Sequence, residues 1–146
     1  SSQLIKTWHR QWLGAIYLWA GEERSVNLSK GAFHFAAAAQ IPSLLHKLDQ
    51  DYLRQHTPCT DLADEALIQA IAEVHVEFIL IHPFREGNGR IARLIADVMA
   101  SQAGYGTLDY SPWDENKPDY FAAIQAGLDM DYEPMMHWVE QAFNAQ

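Results

Sequence analysis

The chain has 146 residues, 49% of them apolar and 20% charged, with a net charge of −9. That length fits one domain with a real core and not two comfortable ones, and the apolar share excludes a disordered chain. The acidic balance argues against broad contact with nucleic-acid phosphates, and the single cysteine, Cys59, excludes an internal disulfide or a Cys/His metal cage and fits a reducing compartment.

The pattern reads as mostly helix. Leu4, Trp8, Trp12, Ala15, Ile16 and Trp19 recur at helical spacing, and Gly21 closes that segment. These tryptophans, with Trp138, are expected in the core. From Arg24 to Gln40 the character changes: Val26 to Ser29 alternates, Lys30-Gly31 turns, and Phe33-His34-Phe35 alternates again, which predicts a short hairpin or extended flap. Ile41-Pro42 starts a helix carrying Leu44, Leu45, Leu48, Tyr52 and Leu53. Asp61 is the expected cap of the next helix, with Asp64 and Glu65 in its first turn. There Leu67, Ile71, Val74, Phe78 and Ile81 form one stripe, widened by Ile68, Ala72 and Ile79, so the helix should be central. Ile91, Leu94, Ile95, Val98 and Met99 mark another helix, stopped by Gly104, and two more should run from Pro118 to Leu128 and from Pro134 to Phe143. The prediction is an all-α bundle with a short β-hairpin flap, one domain over residues 1–146. The opening Ser1-Ser2 without methionine points to a piece of a longer protein. No apolar run is long enough to span a membrane and no signal peptide opens the chain, so a cytoplasmic protein, or one delivered into a host cell, is expected without a membrane or nucleic-acid partner.

The most informative run is His82-Pro83-Phe84-Arg85-Glu86-Gly87-Asn88-Gly89-Arg90-Ile91-Ala92-Arg93. It joins two predicted helices. Gly87-Asn88-Gly89 can bend sharply and let a ligand approach the backbone, and the following helix offers unpaired N–H groups to an anion. Arg90 and Arg93 lie one turn apart on a common face, suited to phosphate. Glu86 places a carboxylate beside this cradle, where it could hold Mg²⁺ together with substrate phosphates. His82 could take a proton from an attacking hydroxyl near pH 7. Asn88 could donate to a phosphate oxygen, and Phe84 should point into the core and anchor the turn. Tyr120 is read first as core, with contact to a nucleotide base as the lesser reading. The set describes phosphoryl or nucleotidyl transfer. Other motifs fail: Gly87-x-Gly89-x-x-Ala92 follows a helix and not a strand, no P-loop is present, and His75 and His82 lack metal-site spacing.

This run resembles the Fic (Fido) signature His-x-Phe-x-Asp/Glu-Gly-Asn-Gly-Arg-x-x-Arg at every fixed position. Trp19 to Arg24 is similar to the segment leading to that family's flap, Lys30 to Phe33 to the flap, and Tyr120 to Pro134 to its closing helices. The resemblance implies a Fic-type bundle that moves AMP from ATP to a hydroxyl of a target protein and releases pyrophosphate. It implies His82 as base, Glu86 as the Mg²⁺ ligand, and Gly87, Asn88 and Gly89 as the anion hole. It also implies phosphate contacts from Arg90 and Arg93, Phe84 and Tyr120 in the nucleotide-binding set, and a flap using Lys30, Gly31, Phe33 and Phe35 to clamp the target by strand addition. Members with an inhibitory helix carry Ser/Thr-x-x-x-Glu-Gly/Asn. Ser111 to Asn116 fits the letters but reads as an ordinary helix start, so no inhibition in cis is expected. An antitoxin-like protein or an upstream helix would then supply control. The alternatives are transfer of UMP, phosphocholine or phosphate, removal of AMP, or a binding module without turnover.

Overall fold

The computed structural model describes residues 1–145. Its centre is helix α4 (Asp64–Ile81), which buries Leu67, Ala70, Ile71, Ala72, Val74, His75, Val76, Phe78, Ile79 and Ile81. Neither Gly nor Pro interrupts that run, and its apolar residues cover most of the circumference, so neighbours pack on several sides. Those neighbours are α5 (Asn88–Gln102), α7 (Lys117–Ala126), α8 (Glu133–Asn144) and α2 (Ile41–Lys47). Phe78 is wholly buried at the middle of this packing, and truncating it to Ala would cost about 3–5 kcal/mol.

Smaller elements complete the bundle. α1 (Ser2–Leu13) opens it, and α3 (Arg54–His56) follows α2 through a wide π turn over Leu48–Leu53. The looser winding lets Leu48, Tyr52 and Leu53 all face inward. α6 (Ser111–Glu115) precedes α7 and seats the fully buried Trp113. The flap is an antiparallel pair of two-residue strands, β1 (Ser29–Lys30) and β2 (Phe33–His34), with Ser29 opposite His34 and Lys30 opposite Phe33. Among the described residues, no helix is long and apolar enough to cross a membrane.

The helical architecture and the flap match expectation, while several local features differ. α1 ends at Leu13, short of Gly21, and its buried stripe is Ile5, His9 and Leu13. Leu4, Trp12 and Ile16 are exposed, at 47%, 40% and 71%, whereas Trp8 and Trp138 half-bury against the core. Asp61 does not cap α4: it sits in a left-handed turn at φ 61°, and Ala63 occupies the cap position without a side-chain bond. The hairpin strands are also shorter than the alternation suggested.

Candidate active site

Pro83 cannot continue a helix, so α4 stops at Ile81 and His82 turns left-handed, at φ 51° and ψ 61°. That conformation strains a residue with a side chain, and it persists only where neighbours enforce it. Arg24 does so. Only 3% exposed, its guanidinium donates to the carbonyls of His82 (2.6 Å), Ile81 (3.1 Å), Val26 (2.7 Å) and Ala36 (2.5 Å). Its backbone N–H donates to the Pro83 carbonyl at 2.8 Å. One buried cation thereby ties the stem of the flap to the end of α4.

The turned imidazole of His82 stacks on Phe35, with ring centroids 3.8 Å apart and planes 12° apart. Its Nδ1 is buried near the Ile79 carbonyl, which works against the downward shift of its pKa. Burial, helped by the charges of Arg24 and Lys30, lowers its pKa to about 4, so the ring is neutral at pH 7.

The loop after His82 is held from two more sides. Asn88 accepts from the Phe84 N–H (2.9 Å) and donates to the Phe84 carbonyl (2.8 Å), closing the loop on itself. His9 is wholly buried and stacks on Phe84 at 3.8 Å. The Gly21 N–H donates to its Nδ1 (2.8 Å), which leaves the ring proton on Nε2 to donate to the Glu86 carbonyl at 2.9 Å. Gly87 has φ 85°, and a Cβ there would lie 2.5 Å from the Trp12 ring, so only glycine fits. Helix α5 then begins. Its first backbone bond runs from the Ile91 N–H to the Gly87 carbonyl, leaving the N–H groups of Asn88, Gly89 and Arg90 ahead of the ladder.

These elements line a cleft of about 300 Å³ bounded by Lys30, Phe35, Ile79, His82, Gly89, Arg90, Arg93, Tyr120 and Phe121. Its charged lining residues are all cations, Lys30, Arg90 and Arg93, and it lies at a helix N-terminus, a combination suited to an anion. The guanidinium of Arg93 lies over Tyr110 and Trp113 and pairs with Asp114 at 2.7 Å. Glu115, the acid in the Ser111 to Asn116 match, forms no ion pair with Arg93. Arg90 lies over Trp12. Glu86 is exposed, and its side chain makes no hydrogen bond or ion pair among the described residues.

The structure thus gathers His82, Gly89, Arg90, Arg93, Tyr120, Lys30 and Phe35 on one cleft. Phe84, 1% exposed and stacked on His9, points into the core and anchors the loop, and it is not among the residues that line the cleft. The Asn88 side chain is spent on Phe84, so an anion would meet its backbone N–H. Tyr120 packs on the core side and also borders the cleft. Its ring stacks on Trp113 and lines the cleft, while its hydroxyl lies 2.6 Å from Nε2 of the buried His75. Phe33 packs edge-on against Phe35 and Phe121, and Gly31 sits exposed at the hairpin tip with φ 59°. Arg24, His9, Phe121 and Asp114 carry parts of the site that sequence reasoning did not assign. A polar His9 in the Ile5–Leu13 stripe was the one available signal.

Known proteins resemble this chain in sequence and fold. The profile of the Fic/DOC family matches residues 1–100. A probable protein adenylyltransferase Fic of Salmonella typhimurium is 34% identical over 97 residues, covering 66% of this chain and 48% of that protein. Protein adenylyltransferase VbhT of Bartonella schoenbuchensis is 35% identical over 102 residues, covering 69% of this chain and 21% of its own length. The chain therefore spans half or less of these relatives. In fold it matches the N-terminal FIC domain of Bep8, a VirB-translocated effector of Bartonella sp. 1-1C, with a TM-score of 0.80 at 22% identity over 98% of this chain and 73% of that one. With the profile spanning more than half of its residues, the chain belongs to the Fic/DOC family.

Proposed function

We propose that this chain transfers AMP from ATP to a serine, threonine or tyrosine hydroxyl of a protein target, with release of pyrophosphate. One observation carries the reading: a half-buried, neutral His82 faces a cationic cleft at the start of α5. The target oxygen attacks the α-phosphorus, its proton passes to the imidazole of His82, and the bond to the pyrophosphate oxygen breaks. The loop N–H groups and Arg90 hold phosphate oxygens. Arg93 reaches the γ-phosphate by leaving Asp114. Glu86 would hold Mg²⁺, which would supply charge withdrawal from the phosphate oxygens. The names of the relatives support AMP as the transferred group.

The flap supplies the other half. A target segment laid along it would pair through backbone and bring one hydroxyl to His82. The work is assigned to a cytoplasm, the cell's own or a host's. Inhibition falls to a separate protein or a segment outside residues 1–146, so Glu115→Gly should leave activity unchanged.

Mass spectrometry of proteins incubated with the chain, ATP and Mg²⁺ tests the proposal. The expected product is an adenylate ester on a hydroxyl side chain, absent with His82→Ala. A lone phosphate on the same residue would replace AMP transfer with a kinase-like reaction.

A further inference from the structure

A second and larger groove, of about 400 Å³, is lined by both residues of β2 and by Phe35. Its walls are apolar: Phe33, Phe35, Leu44, Leu80 and Ile81 with, at the rim, Leu128 and Met130, which are 63% and 68% exposed. Within it stands one acid, Glu77. The hydroxyls of Tyr52 (3.2 Å) and Tyr132 (2.5 Å) both donate to Glu77 Oε1. Burial raises the pKa of both phenols, so they remain donors. Oε2 carries no hydrogen bond among the described residues. Lys47 lines the groove but is exposed, and no cation pairs with Glu77 among the described residues.

A carboxylate with one open oxygen inside an apolar trough complements a particular chemistry: a long aliphatic stem ending in a cation. Phe35 lines both this groove and the cleft at His82, so the two lie on neighbouring surfaces. A strand laid along the flap turns successive side chains to opposite faces. If one hydroxyl enters the cleft at His82, a nearby side chain is directed to the groove. We infer that this groove is a specificity pocket for the target polypeptide, taking a lysine or arginine close in sequence to the modified hydroxyl, with Glu77 pairing its cation. This rests on the AMP-transfer reading.

Two measurements on the same protein test the pocket and separate its failure from failure of that reading. The first is binding, followed by NMR of methyl-labelled methionines. Nα-acetyl-lysine methylamide should shift Met130 and leave the core Met99 unmoved, while the norleucine analogue should bind about tenfold more weakly. Glu77→Gln should abolish the difference, and Leu128→Arg, an exposed change that places a cation at the rim, should block the probe with Glu77 intact. Equal binding of both probes, or none, overturns the pocket. The second is transfer from α-labelled ATP to hydroxyl-bearing peptides that carry lysine or norleucine at each flanking position in turn. A lysine preference lost in Glu77→Gln supports the proposal. Label on all peptides alike, unchanged in Glu77→Gln, overturns it and leaves AMP transfer standing. Lysine binding without label on any peptide removes the transfer reading, and the target assignment with it.

Discussion

The loop from His82 to Asn88 and the flap from Ser29 to His34 face each other across the cleft, and they are built in opposite ways. The loop is fixed from every side: Arg24 on its first carbonyls, His9 on the Glu86 carbonyl, and Asn88 on both backbone groups of Phe84. The flap has two residues per strand, mostly exposed, and leans on the ring cluster of Phe33, Phe35 and Phe121. Positioned groups lower a barrier only if they need not reorganise, whereas a surface that reads backbone can adapt to its partner. The contrast assigns chemistry to the loop and target capture to the flap.

The largest expected effect is at His82. His82→Ala should lower transfer by about a hundred- to ten-thousandfold, the usual worth of a positioned base, with circular dichroism unchanged. An equal loss from deleting the exposed His34 of the flap would erase the contrast.

Acid should also separate the two regions. Burial lowers the pKa of His82 to about 4 and of His75 to about 3, and lowers that of His9 as well. Below the ordinary value of 6.5, the unfolded chain takes up protons that the folded rings refuse. Stability should therefore fall as pH drops from 6.5 towards 4 for His82 and 3 for His75, and stay flat above 6.5 as far as these rings are concerned. The slope is about 1.4 kcal/mol per pH unit for each ring held neutral, read by urea denaturation, and should be shallower in His75→Gln.

Asn88→Ala leaves the Phe84 N–H and carbonyl buried without partners, at about 1–3 kcal/mol each. Denaturation midpoints should show that loss, and a stable variant with full activity would mean that the loop is not held as described. Smallest is Asp114→Asn. The pair with Arg93 is half-exposed and worth about 0–1 kcal/mol, so stability should hardly move. Calorimetry should instead show ATP binding a few-fold tighter, with ADP affinity unchanged, because the γ-phosphate no longer competes for Arg93.

The loop was legible because its chemistry is local: glycines, an amide and arginines at fixed spacing announce a turn before an anion-binding helix. The helices were legible through periodicity, most clearly α4. What was hidden rests on partners far apart in the chain. Arg24 meets His82 and His9 meets Glu86 across 58 and 77 residues, and neither pairing leaves a periodic trace. Trp12 misled for a different reason: a large apolar ring at helical spacing reads as core, yet it covers Gly87 and supports Arg90. The side chain of Asn88 was hard to place because an amide in a phosphate-like loop suggests a ligand contact, while its two hydrogen bonds go to the Phe84 backbone.

The division of labour between loop and flap is tested most directly by the steady-state kinetics of Phe33→Ala, with ATP saturating and the target protein varied. The account predicts a KM for target raised about tenfold with kcat little changed, as expected when a binding surface alone is damaged. A fall in kcat at unchanged KM would place Phe33 in the chemistry and contradict it.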